Sequence, residues 1–236
     1  MAVPFATLWT SDMHSRILHI LAAANINKLT LAISPDFVFG STNKTPTYLA
    51  KFPQGKIPAL ETPSGFLLTE ATAIAHFVAD SGDKREQLLG RSVEERALVR
   101  MWASFSDMEI FANGMVVLAV ATGRVEYVAG VTDRKEREFL RALQRLEGHL
   151  QVDAQGKGRK WLVRDDELSL ADLSVASSLY WPLGHFVDAQ TREAFPRLME
   201  WWERLMGVEE VSKAFGKIEF RETRPVVLGE KEAVKE

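Results

Sequence analysis

The hydrophobic pattern changes its period once along the chain, near residue 82, and this change limits the fold more than any other feature. Before it, short apolar runs of strand length alternate with helical segments, and after it the apolar residues keep helical spacing to about residue 215. The charged, unpatterned stretch 82–87 is typical of a domain boundary. We therefore predict an α/β domain over residues 1–82, an all-helical domain over 90–220 and a polar tail over 221–236.

The first domain reads as a small mixed sheet flanked by helices in the order β-α-β-α-β-β-α. The predicted strands cover residues 5–9, 29–33, 59–62 and 66–68. A helix between the first two strands, capped by Ser15, predicts parallel pairing with a right-handed crossover. Thr45 followed by Pro46 predicts the start of a short helix. The short turn at 63–65 predicts a hairpin between the last two strands.

The second domain shows three helix starts. A capping box at Ser92 and Glu95 opens a long helix, and Thr132 is the predicted cap of another. Ser169 with Asp172 opens a very apolar helix, which we expect at the buried centre of this domain, with Asp172 as a structural carboxylate. Near the end of the domain two tryptophans are adjacent in sequence, at 201 and 202, so we expect only one of them to face the core.

Composition removes several classes of function. The chain has 236 residues, a net charge of -3 and no cysteine. No cysteine means no disulfide, no thiolate nucleophile and no thiol oxidoreductase centre, and the five histidines lack metal-ligand spacing. The charge gives no reason to expect a nucleic-acid partner. Without a basic, apolar N-terminal segment or an apolar stretch longer than residues 115–122, we expect a cytoplasmic protein with no signal peptide and no membrane span.

Residues 51–71 carry the strongest sign of a binding site. A proline directly ahead of a strand, Pro58, favours a turn with a cis bond, which would direct the N–H and C=O of Ile57 outward. Glu70 and Ala71 then begin a helix, whose free N–H groups attract a carboxylate. The stretch therefore predicts a place that holds a small anionic peptide.

Three motifs, Ile57-Pro58, the Thr-Glu-Ala-Thr-Ala-Ile-Ala run at 69–75 and the Leu-Ser-Leu-Ala-Asp run at 168–172, resemble the glutathione transferase superfamily over residues 8–215. Segments 39–46 and 51–58 look most like the transferase-like domain of translation elongation factor one-B gamma. The resemblance implies the glutathione transferase fold, a thioredoxin-like domain followed by a helical domain. The chain lacks the further C-terminal domain of those factors, so we expect a stand-alone transferase of that branch or an isolated domain of it.

The resemblance also names the peptide as glutathione, acting as co-substrate. It implies that the backbone of Ile57, shaped by Pro58, pairs with the cysteinyl unit. Glu70 then faces the γ-glutamyl ammonium, and the N–H of Ala71 faces the γ-glutamyl carboxylate, although Ala71 replaces a serine found in many members. The candidates for the glycine carboxylate, with Lys56 first, are Lys44, Gln54 and Lys56.

Activation of the thiol is expected directly after the first strand. A free thiol has a pKa of about 8.5, so an enzyme must donate a hydrogen bond or a positive field to the sulfur. In the family a Tyr, Ser or Cys does this, but here Trp9 occupies the tyrosine position. We favour Ser11 as the donor over Thr10 and Ser15, with Arg16 adding positive potential, and assign Ser11 and Arg16 as the catalytic residues.

Two functions remain open. The first is a glutathione transferase that conjugates glutathione to small electrophiles or reduces peroxides, with Phe111 and Met108 favoured as pocket residues over Trp102, Phe105 and Met115. The second is a non-enzymatic interaction module related to elongation factor one-B gamma, with translation-factor partners. The resemblance implies a homodimer in either case, and we expect no metal and neither nucleic acid nor membrane as a partner.

Overall fold

The computed structural model describes residues 3–11, 14–151 and 158–225. Its sheet has four strands, β1 (Ala6–Trp9), β2 (Leu31–Ile33), β3 (Ala59–Glu61) and β4 (Leu67–Thr69), in the order β2-β1-β3-β4. β1 pairs parallel with β2 and antiparallel with β3, and β3 pairs antiparallel with β4. The predicted parallel unit and the predicted hairpin are both confirmed.

Three helices flank this sheet: α1 (Leu18–Ile26), α2 (Pro46–Lys51) and α3 (Ala71–Asp80). Thr45 caps α2 as predicted, its side chain accepting from the Tyr48 N–H. The prediction for Ser15 is wrong, because a 3-10 turn over Ser15–Ile17 precedes α1 and His14 occupies its N-cap position. Ser15 lies inside that turn, buried, and its carbonyl accepts a hydrogen bond from the Ser177 hydroxyl at 2.6 Å.

All described elements after α3 are helical. They are α4 (Arg85–Leu89), α5 (Val93–Phe105), α6 (Ala112–Ala121), α7 (Ala129–Gln151), α8 (Leu170–His185), α9 (Ala189–Glu193), α10 (Pro196–Met206) and α11 (Glu209–Phe215). α4 forms within the stretch that the sequence predicts to be unpatterned. α8 is the buried centre, as predicted, and α1 packs between α3, α8 and α11. The two halves therefore share one hydrophobic core.

A π-helical turn, Ser106–Phe111, joins α5 to α6 into one continuous helix, Val93–Ala121. This 29-residue helix is long and apolar enough to cross a membrane by length and composition, which the sequence pattern does not predict. Half of its most apolar window is buried inside the protein, with Trp102 and Val99 almost inaccessible. A core helix buried in this way meets the same criteria as a membrane span, so length and composition do not separate the two.

The capping box at Ser169 and Asp172 is confirmed in both directions. The buried Asp172 carboxylate also accepts from the Leu162 N–H and the Trp201 indole N–H, each at 2.9 Å. Burial raises the pKa of Asp172, while these hydrogen bonds favour its ionised form. The structure thus accounts for Asp172 as a carboxylate that joins α8 to α10 and to the 158–169 segment.

The expectation that only one of the adjacent tryptophans faces the core is wrong. Trp201 and Trp202 are 0% and 2% exposed. α10 is covered on two sides, because Trp201 bonds to Asp172 while the ring of Trp202 meets Phe215 and Phe220. Adjacent helical residues can both be buried when other elements cover more than one face of the helix.

Two predicted caps differ in detail. Ser92 caps α5 by accepting from the Glu95 N–H, but the Glu95 carboxylate accepts from the Arg91 N–H instead of closing the box on Ser92. Thr132 lies inside α7, which begins three residues earlier, and its hydroxyl accepts from the Val128 N–H.

The predicted polar tail is described only in part, because residues 226–236 lie outside the described residues. Residues 221–225 lie against the helical domain. The Arg221 N–H donates to the Leu183 carbonyl, and Arg224 pairs with Glu136 through both guanidinium nitrogens.

Candidate functional site

One cleft of about 70 Å³ gathers seven of the nine residues that the sequence singles out. It lies at the start of β3, the end of β4 and the start of α3, and Arg16 from the turn before α1 also lines it. Phe52 and Thr69 complete the lining, which sequence reasoning did not assign. The seven predicted residues are Arg16, Gln54, Lys56, Ile57, Pro58, Glu70 and Ala71.

Buried polar contacts fix the loop that carries Gln54 to Ile57. The Asn43 amide donates to the Gly55 carbonyl at 2.6 Å, and the Tyr48 hydroxyl donates to the Lys56 carbonyl at 2.7 Å. Burial raises the pKa of Tyr48 to about 12, so this hydroxyl keeps its proton at neutral pH. Gly55 has φ +61°, and a Cβ there would lie 2.9 Å from the Asn43 carbonyl oxygen, so the loop requires glycine.

The backbone of Ile57 and the start of α3 are available to a ligand. The Ile57–Pro58 bond is cis, as the sequence predicts, and within the described chain neither the N–H nor the C=O of Ile57 has a hydrogen-bond partner. Glu70, the N-cap residue of α3, has φ +67° and makes no side-chain capping bond, so its carboxylate stays exposed beside the first N–H groups of the helix. A non-glycine residue with such a φ is uncommon, and strained backbone positions cluster at functional sites.

Two of the nine residues lie elsewhere. Lys44 ends an exposed 3-10 turn, Thr42–Lys44, and does not line the cleft. The buried member of that turn is its neighbour Asn43, which also accepts from the Gly40 N–H. Sequence reasoning missed Asn43, although asparagine near glycine in a loop is a known turn-forming signal. Ser11, the ninth residue, lines a second cavity.

Arg16 is held by the long helix. Its guanidinium donates to the Asp107 carboxylate and lies over the Phe111 ring, 4.4 Å from Cζ to the ring centroid. Asp107 also accepts from the Thr72 hydroxyl at 2.6 Å. Asp107 and Phe111 belong to the π-helical turn, a feature that often marks functional positions in helices. Arg16 therefore brings a positive charge to the cleft that Asp107 partly balances.

The second cavity, of about 240 Å³, neighbours the cleft, because Phe111 lines it and Arg16 stacks on Phe111. Its described lining comes from residues 11, 14 and 15 and from segments 111–124 and 181–185. Its described lining residues are Ser11, His14, Ser15, Phe111, Met115, Leu118, Thr122, Arg124, Trp181 and His185. Ser11 therefore lies in the second cavity and not in the cleft.

The residues predicted for the electrophile pocket lie in three different kinds of position. Phe111 and Met115 line the second cavity, whereas Trp102 and Phe105 are buried in the core. Met108 is 68% exposed and does not line the cavity, contrary to the sequence prediction. Arg124, Trp181 and His185 were missed, since no motif marks them.

The remaining candidates for thiol activation either make a hydrogen bond elsewhere or lie outside the cleft lining. The buried Thr10 hydroxyl donates to the Ser11 carbonyl, and the Trp9 ring packs against Tyr48, away from the cleft lining. Burial, and secondarily Arg16, lower the pKa of His14, whose buried Nδ1 has no partner among the described residues. His14 is therefore neutral at pH 7. Among the described residues no group of three or more acidic or histidine side chains forms a metal site.

A buried histidine, His19, links a residue that lines the cleft to one that lines the second cavity. His19 Nδ1 lies 2.9 Å from the Ser177 hydroxyl, and its Nε2 lies 3.3 Å from the carbonyl of Ala71. Ser177 in turn donates to the Ser15 carbonyl, so the start of α3, the turn before α1 and α8 meet at one point. Burial, with a smaller contribution from Arg16, lowers the pKa of His19 to about 3.

The described fold matches that of glutathione transferases. The family model for the N-terminal domain of glutathione S-transferases matches residues 15–81, and that for the C-terminal domain matches residues 108–209. The chain belongs to the glutathione transferase family.

Its curated relatives fall into two groups. A glutathione S-transferase-like protein of Aspergillus aculeatus is 44% identical over 204 residues, covering 86% of this chain and 93% of that protein. Elongation factor 1-gamma of Equus caballus is 31% identical over 92% of this chain, which spans 47% of the factor. Both kinds of protein named by the sequence resemblance are thus among the relatives.

Solved structures share the fold at lower identity. The glutathione S-transferase-like domain of elongation factor 1-gamma from Saccharomyces cerevisiae has a TM-score of 0.81 at 19% identity, covering 96% of this chain and 99% of that one. A glutathione transferase from Phanerochaete chrysosporium in complex with oxidized glutathione has a TM-score of 0.78 at 22% identity, covering 90% and 95%. The predicted fold class is confirmed.

Proposed function

We propose that the protein is a glutathione transferase that binds glutathione in the cleft and transfers it to a small electrophile in the neighbouring cavity. The observation that carries the proposal is that the cleft and the cavity meet at the Arg16–Phe111 stack. A conjugating enzyme needs its two substrates held side by side, because positioning converts a bimolecular reaction into an effectively unimolecular one.

The cleft suits the chemistry of glutathione along its length. The backbone N–H and C=O of Ile57 match the cysteinyl amide, because a peptide ligand can pair with main-chain groups as an added strand does. The exposed Glu70 carboxylate attracts the γ-glutamyl ammonium, and the N–H of Ala71 at the helix start accommodates the adjacent carboxylate. Lys56 and Gln54 remain as partners for the glycine carboxylate.

The sulfur would lie between Arg16 and Ser11, at the junction of the two hollows. There the Ser11 hydroxyl donates to the thiolate and the Arg16 guanidinium favours its negative charge. Among the described residues, no hydrogen bond engages the Ser11 side chain, so its proton is available.

The first test is retention on glutathione resin together with conjugation of a general aryl halide. Ser11→Ala should lower kcat about a hundredfold, as loss of one donor to a developing anion does. Ser64→Ala, in the hairpin turn, is the matched control and should keep the wild-type rate. Full activity in Ser11→Ala would remove Ser11 from the mechanism and shift the role to Arg16 or a backbone N–H.

A second function is favoured by the similarity to elongation factor 1-gamma and by the displacement of Ser11 from the cleft. In this alternative the chain is a non-enzymatic module that docks onto a translation-factor partner. Retention on glutathione resin without any conjugation or peroxide reduction would favour the module. Homodimerisation, a cytoplasmic location and a detoxification role stay predictions in both cases.

A further inference from the structure

The second cavity is lined by two helices that run in parallel. Next to Asp107, the partner of Arg16, the Ser106 hydroxyl lies 2.8 Å from the Ser178 hydroxyl. Two turns further along the long helix and one turn further along α8, a Cβ on Gly114 would lie 3.3 Å from the Pro182 ring. The continuous α5–α6 helix and α8 therefore run in the same direction, and the cavity residues with higher numbers on each helix lie farther from the cleft.

The wall that α6 contributes is long, narrow and apolar along most of its length. Phe111, Met115 and Leu118 lie on one face at spacings of four and three residues, and Thr122 follows at the next turn. Eleven residues at about 1.5 Å each give this stripe a length of roughly 16 Å. Trp181 of α8 also lines the cavity. A volume of about 240 Å³ along this stripe suits a slender chain or a single ring better than a bulky polycycle.

The far end of the cavity carries a positive charge. Arg124 follows the end of α6, and it is the sole permanently charged side chain among the described lining residues. Within the described chain its guanidinium has no ion pair, and no described acidic residue lines the cavity. His185 lies on the same side, with Nδ1 3.0 Å from the Trp181 carbonyl, an arrangement that leaves Nε2 as the unengaged ring nitrogen.

We propose that the electrophile of this protein is a slender apolar molecule with a carboxylate at the end remote from its reactive carbon, and that Arg124 binds this carboxylate. The proposal rests on the proposed transferase function. The reactive carbon then lies at the Ser11 end, next to the sulfur, while the apolar body lies along Phe111, Met115 and Leu118. Arginine suits the role because its planar guanidinium binds a carboxylate through two hydrogen bonds.

The test uses a matched pair of electrophiles, a medium-chain alkyl vinyl ketone with a terminal carboxylate and its methyl ester. The glutathione sulfur adds to the terminal vinyl carbon and a proton is added at the carbon next to the carbonyl, so no other reactant is needed. We expect kcat/KM for the acid to exceed that for the ester by about tenfold, the usual value of a hydrogen bond to a charged group. Equal values for acid and ester would overturn the proposal.

Two variants assign the preference to a residue. Arg124→Met should reduce the ratio of acid to ester to about one, chiefly through a higher KM for the acid. Arg137→Met, an exposed arginine of α7 outside the cavity, should keep the wild-type ratio. An acid preference that persists in Arg124→Met would place the carboxylate elsewhere and contradict the proposal.

A binding experiment separates this proposal from the transferase function. The saturated ethyl ketones of the same acid and ester do not react, and their binding is measured by calorimetry. Binding of the acid that depends on Arg124, without turnover of either vinyl ketone, would support the cavity assignment and reject the transferase. Turnover of both vinyl ketones with no acid preference in rate or binding would reject the cavity assignment and keep the transferase.

Discussion

The cleft and the second cavity share the Arg16–Phe111 stack but are built in different ways. Residues 52–71 supply eight of the nine residues of the cleft, and two of its key groups, at Ile57 and Ala71, are backbone N–H or C=O. The cavity takes its lining from three segments that are distant in sequence, and its character comes from side chains. The path of the main chain therefore defines the cleft, whereas side chains define the second cavity.

This difference has a consequence for specificity. Backbone contacts survive side-chain substitution as long as the loop keeps its path, and here Asn43, Tyr48 and Gly55 hold that path from beneath. A cavity lined by side chains changes its preferred ligand with each substitution. Under the proposed function, the cleft would therefore bind the ligand common to the family, whereas the cavity would select one particular to this chain.

The largest expected effect concerns the acidic side chain of the cleft, Glu70. Glu70→Gln removes the charge proposed to face the ligand ammonium, which should weaken glutathione binding about thirtyfold, or about 2 kcal/mol. Isothermal titration with glutathione measures it, and Glu203→Gln on the exposed face of α10 is the control. Unchanged affinity would mean that the cleft binds its ligand through backbone groups alone.

The next effect concerns the protonation of the buried His19. His19 has a pKa of about 3 in the folded protein, against 6.5 for an unperturbed histidine. Between these values the unfolded chain binds a proton that the folded chain does not, so stability is highest above pH 6.5 and falls as the pH decreases. From pH 7 to pH 5 this one group should remove roughly 1.9 kcal/mol from the free energy of unfolding.

The measurement compares urea unfolding at pH 7 and pH 5 in the wild type and in His19→Asn. Any stability that the substitution itself removes cancels, because only the difference between the two pH values is compared. Three other histidines with lowered pKa values, His14, His76 and His149, contribute equally to both proteins. An identical pH dependence in the two proteins would show that His19 is not buried as a neutral ring.

Local sequence patterns predicted what depends on local structure. The parallel pair, the hairpin, the caps at Thr45 and Ser169 and most of the cleft follow from short segments whose residues contact each other. Asn43 is buried and its neighbour Lys44 is not, because the Asn43 amide donates to the carbonyl of Gly55, twelve residues later. The local sequence does not show this contact and so does not show that Lys44 lies outside the cleft. The cavity lining formed by segments 111–124 and 181–185 could not be predicted from the sequence, because only helix packing brings these two segments together.

A smaller effect is expected where the two hollows meet. Arg16 and Asp107 are partly exposed, at 16% and 30% of their side-chain surface, so screening by water limits the energy of their pair. A double-mutant cycle of Arg16→Met and Asp107→Asn should give a coupling energy of about 1 kcal/mol in unfolding experiments. Additive single and double variants would mean that the ion pair does not connect the cleft to the long helix.

The smallest effect separates two lysines that are both candidates for the glycine carboxylate. Lys56 lines the cleft and Lys44 does not, although both are exposed. Lys56→Gln should weaken glutathione binding about threefold, because an exposed ion pair contributes under about 1 kcal/mol. Lys44→Gln should leave the affinity unchanged, and the same titration measures both. If Lys44→Gln had the larger effect, the 3-10 turn would have to move toward the bound ligand, and the cleft would be completed by a side chain from outside residues 52–71.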